Sequence, residues 1–184
     1  MTVYAIGGGS SVGKTTAAAS LAARRGFGEV IHVDDLREHS LTERQGHSWL
    51  RPADELLDVL LASTARLGPV LTAELDRLGA VNGSAIIEGE GVQPGLMHRY
   101  TGRDTRVVYV IEPDEDVLWA TLSTRPGARR FLALAPAERR GVVRMNQRYG
   151  QWLRAEAERY GQPWLLSRPW ETLGDRVGEC LFGT

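Results

Sequence analysis

The 184-residue sequence holds one cysteine, Cys180, and one lysine, Lys14. A single cysteine excludes an internal disulfide and points to the reducing cytoplasm. No apolar run approaches the roughly 20 residues that cross a bilayer, and no membrane partner is expected. No basic stretch followed by an apolar segment marks a secretion signal. The net charge of −1 supplies no bulk positive field for a long nucleic acid. Internal repeats, low-complexity segments and interdomain linkers are also missing. What is left is one soluble domain over residues 1–184, a monomer or homodimer, with 42% hydrophobic and 24% charged residues.

Short β-branched runs recur at 2–7, 29–34, 84–89, 105–112 and 163–167, each bounded by turn residues. Helical periodicity fills the intervals. It predicts helices over "GKTTAAASLAARR", "PADELLDVLLASTARL", "GPVLTAELDRLGAV", "PDEDVLWATLSTR" and "TLGDRVGECLF", with a long helix "APAERRGVVRMNQRYGQWLRAEAERYG" weakened near Gly141 and Gly150. Strands alternating with helices imply parallel β-α units in an α/β sandwich.

The lysine-poor composition gives the one lysine its meaning. It lies in "GGGSSVGKTT", where Gly8, Gly13, Lys14 and Thr15 satisfy G-x-x-x-x-G-K-[ST] directly after the first strand. In such a loop the backbone N–H groups of Gly8, Gly9, Ser10, Ser11, Val12 and Gly13 turn inward to bond phosphate oxygens. The following helix, opening at Lys14, Thr15 and Thr16, aims its positive end at the same phosphates. Lys14 reaches the β- and γ-phosphates as a compact charge, a task for which a planar guanidinium is poorly shaped. Thr15 offers its hydroxyl to Mg²⁺. A nucleotide, ATP with Mg²⁺, is the expected ligand.

Ligands in open α/β sheets lie beyond the carboxyl ends of the strands. The second strand ends in "HVDDLRE", which places Asp34 beside the expected γ-phosphate as the group that orients an acceptor hydroxyl and takes its proton. Asp35 with Glu38 reads as a helix capping box and also as an acceptor-side carboxylate, and Arg37 as a clamp for an acceptor anion. The third strand ends in "IIEGEGVQP". Glu88 faces the water shell of the metal ion there, Gly89 and Gly91 let backbone pass close to a ligand, and Glu90, Gln93, His98 and Arg99 could line the acceptor. His47, Trp49 and Arg51 lie in a loop-like stretch that could cover it. In "STRPGARRF", Arg125 and Arg129 are candidate lid residues that neutralise charge in the transition state, with Arg130 beside them. "SRPWETL" sets Arg168 and Trp170 where the adenine base would stack.

The order of "GGGSSVGKTT", "VDDLRE", "IIEGEGVQP", an arginine-bearing lid and "SRPWETL" resembles the small-molecule kinases of the phosphate-loop superfamily, the group of shikimate kinase, chloramphenicol phosphotransferase and 2-phosphoglycerate kinase. The resemblance implies a three-layer α/β sandwich around a five-stranded parallel sheet of order 2-3-1-4-5. It also gives Asp34 the acceptor-activating position, and Arg125 or Arg129 that of the lid arginine. The adjacent Asp34 and Asp35 depart from shikimate kinase, whose aspartates are separated by one residue, so shikimate is not carried over. The expected activity is transfer of the ATP γ-phosphate to a hydroxyl of a small molecule, an anionic metabolite or an antibiotic. A regulatory nucleotide switch and a nucleoside or nucleotide kinase are the alternatives. A GTPase is disfavoured by the lack of an N-K-x-D motif.

Overall fold

The computed structural model describes residues 2–40, 49–80, 84–100 and 104–183, with the side chains of 37–40, 79 and 80 outside that description. Five strands, β1 (Thr2–Gly8), β2 (Glu29–His32), β3 (Ser84–Gly89), β4 (Thr105–Ile111) and β5 (Trp164–Leu166), form one sheet of order 2-3-1-4-5. Every pairing is parallel. The helices α1 (Lys14–Arg25), α2 (Val33–Ser40), α3 (Ala53–Ala80), α4 (Pro94–His98), α5 (Glu115–Thr124), α6 (Arg129–Leu132), α7 (Pro136–Arg159) and α8 (Leu173–Phe182) cover the two faces.

The sheet divides two apolar cores, as crossover connections require. On one face Ile6, Ile86, Val108 and Val110 pack against Ala17, Ala18 and Leu21 of α1 and Val177 and Leu181 of α8. On the other, Ala5, Ile87, Tyr109 and Ile111 pack against Leu67, Leu71 and Leu75 of α3 and Tyr149 and Leu153 of α7. The central β1 is buried almost throughout, so the loop that follows it leaves the sheet from a rigid base.

Four local expectations are corrected. The β2 run stops at His32, and Asp34 and Asp35 lie in the first turn of α2 rather than at a strand end or on a cap. Their carboxylates oppose the positive helix end there, which is itself favourable. The two helices expected around Gly68–Pro69 are one helix, α3, with the proline inside it. Packing of leucines from both halves into one core outweighs the break that proline favours. As one helix, the stretch Ala53–Leu78 is long and apolar enough to cross a membrane by length and composition. Here it packs on α2, α7 and the sheet. The long helix α7 also runs unbroken through Gly141 and Gly150.

Gly141 has a packing role instead. A Cβ built there would sit 1.8 Å from the carbonyl oxygen of Trp49, a backbone atom that cannot rotate away. Gly141→Ala is expected to lower stability by about 1–3 kcal/mol through overpacking, despite the better helix propensity of alanine. That loss lowers Tm by several degrees in a chain of this size. An unchanged or raised Tm by calorimetry would show that the Trp49 segment does not dock on α7.

Candidate active site

The loop between β1 and α1 is held from several sides. Ser11 has a left-handed backbone with φ 64°, and Gly13 follows at φ 90°. A Cβ on Gly13 would lie 2.6 Å from Leu173 and 2.7 Å from the Trp170 ring, so only glycine lets the 170–173 turn close over the loop. A non-glycine residue with positive φ is strain that the surroundings must fix, a common feature of ligand-holding turns. Lys14 is nearly buried and donates from Nζ to the carbonyl of Gly9 at 2.6 Å, which draws its ammonium back across the mouth of the loop. The hydroxyl of Ser11 is buried without a hydrogen-bond partner among the described residues.

Three contacts come from distant parts of the chain. The Ser10 N–H donates to Asn146 Oδ1 on α7 at 3.0 Å, and the Ser10 hydroxyl donates to Glu90 Oε1 at 2.6 Å. Asn146 is itself oriented by its bond to the Val142 carbonyl at 2.9 Å. One turn on, the Tyr149 hydroxyl donates to the main-chain oxygen of Glu90. Helix α7 therefore binds both the N-terminal half of the phosphate loop and the loop after β3. Tyr109 lies beneath them, fully buried, and desolvation pushes its phenol well above the ordinary value, so it stays protonated.

Register aligns His32 of β2 with Glu88 of β3. The buried Glu88 carboxylate receives the Thr15 hydroxyl at 2.9 Å and lies 2.6 Å from His32 Nδ1, all at Oε1. The hydroxyl and carboxylate are the hard oxygen donors that Mg²⁺ requires, and they already touch. Residues Thr15 and Glu88 thus fit the ion that the motif implies.

The glycines at the end of β3 and just beyond it make room for protein packing. A Cβ on Gly89 would fall 2.6 Å from Val33 Cβ, and one on Gly91 2.7 Å from Val33 Cγ1. They admit the first residue of α2 and so bring Asp34 and Asp35, both exposed, next to the β3 end. Gln93 is tied to α3 by a bond from its amide to the Thr64 hydroxyl. His98 lies against Tyr160 with ring centroids 4.8 Å apart, and Arg99 is exposed at the end of α4. Among the described residues, no hydrogen bond or ion pair ties His98 or Arg99 to the phosphate loop. Arg51 is exposed, Trp49 is partly buried against the core, and His47 and the Arg37 side chain lie outside the described residues.

A cleft of about 760 Å³ opens from the loop along α1. Lys14, Thr15, Thr16, Arg125, Pro126 and Trp170 line it. Its size suits a nucleotide-sized ligand. Arg125 caps α5 and faces this cleft, whereas Arg129 and Arg130 are exposed on α6, outside its lining. Helix α6 is anchored by Phe131, which packs with Leu118, Leu122 and Val143. Arg168 is exposed, its guanidinium 5.8 Å from the Trp170 ring and 3.9 Å from the buried Glu112. The Ser167 hydroxyl and the Asp114 N–H bond the same carboxylate, and Arg176 donates to the carbonyls of Leu166, Ser167 and Pro169. Glu112 and Arg176 fix the turn that delivers Trp170.

His32, Asn146 and Tyr149 are site residues that sequence reasoning did not single out. The only available signal was the position of His32 two residues before Asp34 at the end of a strand.

No family model and no curated protein matches the chain. Solved structures do. A gluconokinase from Sinorhizobium meliloti 1021 superposes with TM-score 0.55 at 15% identity, over 98% of this chain and 89% of that one. A shikimate kinase from Bacteroides thetaiotaomicron gives 0.54 at 16%, over 97% of each chain. Deoxyadenosine kinase from M. mycoides with bound dATP gives 0.53 at 12%, over 97% and 98%. At these identities the likeness is one of fold, and the fold of this chain is that of the P-loop small-molecule kinases.

Proposed function

We propose that the protein is an ATP-dependent kinase that transfers the γ-phosphate to a hydroxyl of a small molecule. The observation that carries this reading is the phosphate loop with Lys14 drawn across its mouth and the Thr15 hydroxyl on the buried Glu88 carboxylate. The triphosphate lies along the loop, its oxygens taken by the N–H groups of Gly8 to Thr16 and its β- and γ-charges met by Lys14. Arg125 and Trp170, which line the cleft, and Arg168 beside the tryptophan would hold the base. Thr15 and Glu88 would hold Mg²⁺, which when bound would neutralise phosphate charge. Asp34 orients the acceptor hydroxyl and takes its proton. Arg125, or Arg129 on α6, belongs to a lid and meets charge developing on the transferred group. Asp35, Arg37, Glu90 and Arg99 are the acceptor-side candidates; of these Glu90 is nearest the loop, through Ser10.

Phosphorus NMR of the protein with Mg²⁺·ATP and pooled acceptors (hydroxy acids, phosphorylated metabolites, nucleosides, aminoglycoside- and chloramphenicol-type compounds) tests the reading. A new phosphomonoester resonance is expected from one pool, and deconvolution names the class. A nucleoside acceptor would still be an alcohol acceptor. ATP binding with slow hydrolysis and no ester from any pool would instead indicate a regulatory switch.

A further inference from the structure

The contact between His32 and Glu88 is not needed to hold the sheet together. The β2–β3 pairing is made by backbone, and His32 ends its strand with its side chain partly in solvent. Its Nδ1 nevertheless lies 2.6 Å from the one carboxylate oxygen that Thr15 also bonds at 2.9 Å. Hydroxyl, carboxylate and imidazole thus converge on a single point, and the carboxylate is buried. A magnesium site built for the hardest cation uses oxygen alone. An imidazole nitrogen in the set favours first-row transition ions.

We propose that His32 is a nitrogen ligand of the divalent-ion site and moves its preference from Mg²⁺ toward first-row transition ions such as Mn²⁺. The inference rests on the reading that Thr15 and Glu88 hold the ion of a bound nucleotide. A carboxylate can only accept, so in the present contact Nδ1 carries the ring proton. When an ion takes the Nδ1 lone pair, the ring passes to its Nε2–H tautomer.

The test uses the whole protein with Mn²⁺ and ADP, so that no turnover or acceptor is needed. Electron spin-echo modulation on bound Mn²⁺ is expected to show a coordinated nitrogen, lost in His32→Asn. The asparagine amide still reaches Glu88 as a hydrogen-bond donor but has no basic nitrogen, so the variant removes the ligand while keeping the contact. The Mn²⁺-over-Mg²⁺ affinity ratio, measured by competition with ADP saturating, is expected to fall about tenfold in the variant. Mn²⁺·ADP bound without nitrogen modulation, or an equal ratio in both proteins, overturns the role of His32 and leaves the nucleotide reading intact. Failure of the unmodified protein to bind Mn²⁺·ADP at all overturns both.

Discussion

Lys14→Ala is expected to reduce kcat/KM for phosphoryl transfer by a factor on the order of 10²–10³, the cost of removing one preorganised charge from a developing anion. The fold should survive, since the strand beneath the loop and the helix after it are fixed by apolar contacts on both sheet faces. Lys14→Arg is the sharper experiment. The chain carries arginine at every other basic position, so a guanidinium at position 14 would fit its overall composition. The side chain is nearly buried and its ammonium reaches the Gly9 carbonyl across a narrow loop. A larger planar fork cannot occupy that space without pushing the loop apart. Both variants should therefore lie within a few-fold of each other when assayed with the acceptor that NMR identifies. An arginine variant retaining most of the activity would mean that charge alone, not the shape of the ammonium, is what the loop demands.

The features legible in the sequence were those written locally. The five β-branched runs and the G-x-x-x-x-G-K-T loop each lie within a few consecutive residues, and the observed strand order follows from their alternation with helices together with the family resemblance. Features that depend on two distant segments were not legible. Ser10 and Asn146 are 136 residues apart, and Glu90 and Tyr149 are 59 apart, so nothing near either partner announces the contact. His32 reads as an ordinary strand residue until the β2–β3 register sets it opposite Glu88. Glycines were the most ambiguous signal. Gly13 does carry the positive φ that the loop motif asks for. Gly89 and Gly91 serve the close packing of Val33, and Gly141 serves the docking of Trp49. Glycine marks close approach, and only the structure says of what. Helix boundaries failed for the converse reason. Gly68–Pro69 and the two glycines of α7 are local breakers overruled by long apolar faces.

Asp34→Asn separates an enzyme from a switch. Asp34 is exposed in the first turn of α2 and is not among the residues that line the cleft along α1, so its loss should leave the Kd for ATP unchanged. If it takes the acceptor proton, as proposed, its loss should lower kcat by about 10²–10⁴. The amide keeps the size of the carboxylate and can still orient a hydroxyl, but it cannot accept the proton, so KM for the acceptor should move far less than kcat. Stability should fall only slightly, because the variant removes one favourable charge from a helix N-terminus, worth about 0.3–1 kcal/mol at an exposed site. Each competing account predicts a different pattern. If Asp34 only clamps the acceptor, KM rises and kcat holds. If the proton goes to Glu90, which already accepts from Ser10 beside the phosphate loop, Asp34→Asn is nearly silent and Glu90→Gln carries the loss. A nucleotide switch without an acceptor shows the same slow hydrolysis in both variants and in the unmodified protein. Rapid-quench measurement of the ester-forming step, with ATP affinity taken independently by calorimetry, distinguishes all four.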